Sequence, residues 1–135
     1  MNRILARIAL VFLAAAVPVT ASAQAALEGH WRNPKGSVIV KVAPCGNAYC
    51  GFVVQATPKA KATARRGGTP ELIGTQILSA MRPTGDGTYK GVAFDPKRNI
   101  RAPATIRLQG SETLVIKGCL ISGFICKEQR WTRIS

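Results

Sequence analysis

Acidic side chains are scarce in this sequence. Six Asp and Glu stand against nineteen Lys and Arg over 135 residues, and histidine occurs once. A hydrolase built on two carboxylates would have to draw on Glu71, Asp86, Glu112 and Glu128, and nothing in the sequence pairs them. His30, beside Trp31, has no Ser/Asp or Cys pattern around it, so no activated nucleophile is legible. Asp95 before Pro96 reads as a turn start rather than as a base. Aromatics make up 6% of the chain, and none falls between Phe52 and Tyr89, where the cations are densest. A nucleic-acid binder would interleave the two. No apolar run reaches the roughly 20 residues that span a bilayer. Enzyme activity, a cofactor, a metal and a nucleic-acid partner are therefore not expected.

What is present begins with an address. Arg3 and Arg7 precede an apolar run from Ile8 to Val17, and Ala21-Ser22-Ala23 supplies small residues after it. This is the pattern of a secretory signal peptide over residues 1–23, cut after Ala23, with residues 24–135 forming one domain in the periplasm or outside the cell. Removing the leader takes Arg3 and Arg7 with it and leaves 17 basic against six acidic side chains, a net charge of +11. The cations are unevenly spread: Gly29 to Pro70 holds seven and no acid, while Glu71 to Ser135 holds ten with five acids.

All four cysteines lie beyond the leader, as Cys45-x4-Cys50 and Cys119-x6-Cys126. An even number in a small exported domain points to disulfides rather than zinc, whose thiolates are more often spaced C-x2-4-C. Three pairings are possible. The local one, Cys45–Cys50 with Cys119–Cys126, is preferred because Gly46-Asn47-Ala48-Tyr49 has hairpin-turn composition. Residues flanking such a turn sit at about the 5.5 Å Cα spacing a disulfide accepts. Chain entropy alone would favour a long bridge such as Cys45–Cys126.

Short β-branched runs separated by Gly, Pro, Asn and Asp replace any long helical period, which makes the chain all-β. Strands are expected over residues 29–32, 37–43, 51–56, 76–82, 88–95, 104–108, 113–117 and 128–134. Eight short strands in sequence suggest a single antiparallel up-and-down barrel, with a two-sheet sandwich as the alternative. The stretch from Thr57 to Pro70 carries Lys59, Lys61, Arg65 and Arg66 without acids or large apolar residues, and reads as a mobile loop. At most one helical turn is expected, near Pro70-Glu71-Leu72. Those four cations are a candidate contact for an anionic envelope lipid or polymer, although such charge also serves solubility.

Several spaced motifs together resemble a known family: Gly29-x-Trp31, Pro44-Cys45-Gly46-x3-Cys50-Gly51, Phe94-Asp95-Pro96, Lys117-Gly118-Cys119-Leu120 and Cys126-x4-Trp131-Thr132-Arg133. In that order they are similar to the bacterial exported proteins of domain of unknown function family 2147, from about Gly29 to Ile134. The chain departs from the family at the Lys59–Arg66 stretch and after Asp95-Pro96, so no ligand role is carried over there. The resemblance implies a lipocalin-like small barrel without an established activity. It also implies that Trp31 packs beneath Arg130 or Arg133 and closes one end, with Trp131 in the core. The expected function is a non-enzymatic binding module for a small apolar ligand or an anionic envelope component. The alternative is an inhibitor or interaction protein acting on an envelope or extracellular enzyme.

Overall fold

The computed structural model describes residues 13–16, 27–120 and 125–135. Most of the expected leader, its cleavage site and the centre of the expected Cys119–Cys126 loop lie outside those residues. Eight strands follow in order: β1 Gly29–Arg32, β2 Val38–Cys45, β3 Ala48–Ala56, β4 Gln76–Pro83, β5 Thr88–Asp95, β6 Ile100–Gln109, β7 Thr113–Leu120 and β8 Ile125–Arg133. Each pairs antiparallel with the next, and β1 pairs back onto β8 through Trp31↔Arg133 and Arg32↔Thr132. That last pairing closes the barrel and removes the sandwich alternative, in which no strand would seal the two edges.

The alternation read from the sequence sorts inside from outside. Val40 and Val42 of β2, Ile106 of β6 and Leu114 of β7 are almost wholly buried, while Lys41, Arg107 and Lys117 between them point to water or the rim. Several strands outrun the expected bounds because pairing continues into residues of neutral pattern. The β2–β3 turn shrinks to Gly46-Asn47, since Cys45 pairs with Ala48 and Tyr49 joins β3. Bulges in β3, at Val54, and in β4 adjust the register, and Ala80 sits in the left-handed region (φ 52°) where β4 slips against β5.

The stretch expected as a mobile loop is instead a helix, α1, Pro58–Arg66. Its signals are local. Thr57 caps it, its side chain accepting from the Ala60 amide at 3.2 Å, and Pro58 occupies the first turn, where its missing N–H costs nothing. Ala, Lys and Arg propagate it, and Arg65 and Arg66 fall in the last turn, where cations favour the dipole. Ala60 and Ala64, four apart, face the barrel core, and the Lys and Arg side chains face away. A nine-residue amphipathic helix whose apolar face is only alanine leaves little periodic signal in a hydropathy reading, which is why composition misleads there.

Ends of the barrel and a candidate binding lumen

The connections sort the barrel into two ends. One carries the start of β1, the end of β8 and the β2–β3, β4–β5 and β6–β7 turns. Here Trp31 is fully buried and its indole N–H donates to the Leu27 carbonyl at 3.1 Å, which draws the segment before β1 under the barrel. Leu27 itself is fully buried. The Arg133 guanidinium lies 4.2 Å from the centre of the Trp31 ring. Its Nε donates to the Ser111 carbonyl at 2.7 Å and its Nη1 to the Glu28 carbonyl at 2.6 Å. One planar, permanently charged group thus ties the start of β1 to the β6–β7 turn while covering an indole face. Gly29 has φ 138°, a backbone conformation that residues with a Cβ rarely adopt, and a Cβ there would lie 2.5 Å from the Ser135 backbone oxygen, so this close approach of the start of β1 to Ser135 requires glycine.

Arg130 is not part of this closure. It hydrogen-bonds Gln109 and lies 3.8 Å from Glu128, exposed on the outer wall. The choice between the two arginines was available from strand parity. Trp131 faces the core, so Arg133 shares its side and Arg130 cannot. Leu27, by contrast, has no strand pattern to announce it. At the same end, beside the β2–β3 and β4–β5 turns, Tyr49 and Tyr89 meet edge to face, with ring centres 5.8 Å apart and an interplanar angle of 89°. Burial, with the neighbouring Tyr89 and Glu28, pushes the Tyr49 phenol above its ordinary pKa.

The other end is spanned by α1. The Thr57 amide donates to the Ser37 carbonyl at 2.9 Å, and past the helix the Thr69 hydroxyl donates to the Pro96 carbonyl at 2.9 Å. The helix therefore runs as a strap from the β1–β2 turn to the β5–β6 turn. Lys59, Lys61, Arg65 and Arg66 all lie exposed on its outer side. Neither of these two ties involves β8. On that side the inward positions become small or polar: Ala93 pairs with Ala102, Ala104 with Gly118, Gly118 with Lys127, and Ile116 with Gln129. Other glycines of the wall are filled by neighbours. A Cβ at Gly51 would meet Leu78 at 3.0 Å, and one at Gly91 would meet the Met81 sulfur at 2.5 Å. Among the described residues, a Cβ at Gly118 would find nothing nearer than the Pro103 carbonyl, 4.0 Å away. Gln129 turns inward, accepting from the Trp131 indole at 2.9 Å, yet remains exposed. Among the described residues, the inward positions from β5 to β8 are thus smaller or more polar than those filled by Leu78 and Met81.

Cys45 and Cys50 are joined across the β2–β3 hairpin, with Cα atoms 5.8 Å apart, and Cys119 and Cys126 across β7–β8, with Cα atoms 4.0 Å apart. The first brace sits at the plugged end and the second at the rim of the β5–β8 side. Both are the local pairs. Among the described residues, no group of three or more His, Cys, Asp and Glu is placed to hold a metal. His30 rests against the C-terminal residue, its Nδ1 2.9 Å from the Ser135 hydroxyl, on the outside of the wall.

Comparison with known proteins agrees with this architecture. A family model described as "Uncharacterized protein conserved in bacteria (DUF2147)" matches residues 29–133. A solved structure described as "Protein HP1028 from the human pathogen Helicobacter pylori belongs to the lipocalin family" superposes with a TM-score of 0.64 at 16% identity. The match covers 81% of this chain and 83% of that one, and at such identity it speaks to the fold alone. No curated protein matches this chain.

Proposed function

The chain belongs to the bacterial DUF2147 family, and from that premise we propose that it is an exported, non-catalytic binding module whose barrel takes up one small apolar ligand between β5 and β8. One observation supports the reading: among the described residues no side chain fills the inward position at Gly118, whereas the corresponding positions at Gly51 and Gly91 are occupied by neighbouring side chains. The inward residues there, alanine, isoleucine and glycine with a lysine and a glutamine at the edge, offer the mostly apolar surface and few polar anchors that a small-molecule site needs. Eight-stranded barrels of this size enclose room for about one small ligand. Two disulfides in so small a bacterial domain support an oxidising compartment and hence export.

The test is a titration with 1-aminoanthracene, an environment-sensitive apolar fluorophore, against the wild-type protein and Gly118→Phe. Uptake by the wild type, lost in a Gly118→Phe variant that melts normally, supports the site. Equal uptake by both removes it. A second reading is favoured by α1: four cations on one solvent-facing side of a strap form a contact for anionic envelope material. Replacing Lys59, Lys61, Arg65 and Arg66 by Gln should weaken binding to anionic vesicles and leave the melting temperature unchanged.

A further inference from the structure

The acid-free run from Gly29 to Pro70 becomes, on folding, one continuous side of the molecule: β1, β2 and β3 are adjacent, and α1 follows on their rim. Its outer surface is unusual for a soluble wall. Pairing sets Ile134, His30, Lys41 and Phe52 in a row across four strands, because His30 is opposite Lys41, Lys41 is opposite Phe52, and the Ile134 amide donates to the His30 carbonyl. The next row holds Arg32 and Ile39, and the β2–β3 bulge adds Val54. Hydrogen bonds from Gly74 to Val53 and from Val53 to Thr75 continue the β3–β4 pairing, so Ile73 emerges beside Val54. Phe52, Val54, Ile73 and Ile134 are 37–43% exposed, and among the described residues of the barrel no other large apolar side chain is so open to water. A shallow groove of about 330 Å³ runs between His30, Ile39, Val54 and Ile134.

We propose that this wall is a docking face for an anionic lipid bilayer, with Phe52, Val54 and Ile73 entering the headgroup region and Lys41, Arg32 and the α1 cations meeting lipid phosphates. The pattern is that of interfacial binding, in which an apolar strip and basic residues share one surface. Charge decides against a second copy of the chain as occupant. Two such faces would set Arg32, Lys41 and the α1 cations against their own copies, whereas anionic headgroups complement them. The inference extends the envelope contact ascribed to α1, and adds to it an apolar anchor that α1 alone lacks.

The experiment uses protein purified from cells expressing the full chain and measures partition onto phosphatidylcholine vesicles with and without phosphatidylglycerol. Three variants accompany the wild type: Phe52→Ser with Val54→Ser; Lys41→Glu; and Arg107→Glu, which makes the same charge change on β6, the strand opposite β2 and beyond the roughly 10 Å screening length at 0.1 M salt. Ile73→Ser serves as a second apolar variant outside the sheet, should the double change affect folding. Binding should require the anionic lipid. It should fall roughly tenfold for the double Ser variant and for Lys41→Glu, and less than about threefold for Arg107→Glu. Full binding by both apolar variants overturns the docking face while leaving the α1 contact standing, provided the four-Gln α1 variant still loses affinity. Equal losses for Lys41→Glu and Arg107→Glu also overturn it, since only bulk charge would then matter. A concentration-dependent dimer, or a co-purifying protein released by the Phe52/Val54 change, overturns it in favour of a protein partner.

Discussion

Replacing Arg133 by Met keeps the length and the apolar stem but removes the charge and every donor. Three contacts go with it: the hydrogen bonds to the Ser111 and Glu28 carbonyls and the cation over the Trp31 ring. Both carbonyls lie at the rim, where water can replace the lost donors, so each bond is assigned about 1 kcal/mol rather than the larger figure for a buried charged pair. The ring contact adds about 0.5–1 kcal/mol. A total near 2–3 kcal/mol is a large share of the stability of so small a domain, and corresponds to a fall in melting temperature of roughly 10 °C. Arg130→Met is the internal standard. Its partners are an exposed glutamine and a carboxylate 3.8 Å away, a pairing that contributes less than about 1 kcal/mol. Urea unfolding with disulfides intact gives both numbers, and Arg133→Lys should not restore stability, because a point charge cannot serve two carbonyls and a ring face together. If Arg133→Met and Arg130→Met differ by less than about 0.5 kcal/mol, the view that this arginine closes the barrel is wrong.

Peptide mapping without reductant should recover Cys45 linked to Cys50 and Cys119 to Cys126, and reduction should cost roughly 2 kcal/mol for each short loop. A Cys45–Cys126 peptide would contradict the fold. Gly91→Ala should destabilise by more than about 1 kcal/mol, since its Cβ would press on the Met81 sulfur and the Ser79 carbonyl, whereas Gly118→Ala should be neutral or mildly stabilising in thermal melts. Tyr49 adds a pH dependence: its folded pKa lies above the unfolded value, so its contribution is intact at neutral pH and fades as alkali ionises the buried phenol. Stability should therefore fall less steeply above about pH 10 in Tyr49→Phe than in the wild type, read from urea midpoints at several pH values.

Much of this architecture is written locally. Alternation with period two, turn residues every eight to ten positions and an even cysteine count suffice for an all-β domain of eight strands, because each strand's inner and outer faces are decided by its own neighbours. Strand parity even selects Arg133 over Arg130. The helix signals at Thr57 and Pro58 were also local, but were hidden beneath a basic composition that resembles a loop. Closure belongs to the tertiary structure, for it depends on β1 meeting β8 a hundred residues later, and on Leu27, outside any strand, seating beneath Trp31. Closure also decides which inward glycines are filled. Gly91 and Gly118 look alike in sequence, yet Met81 occupies the space at one, while among the described residues no side chain occupies it at the other. Likewise, a run of 42 residues without an acid is only a count until antiparallel pairing lays its outward side chains in adjacent rows and makes it a surface.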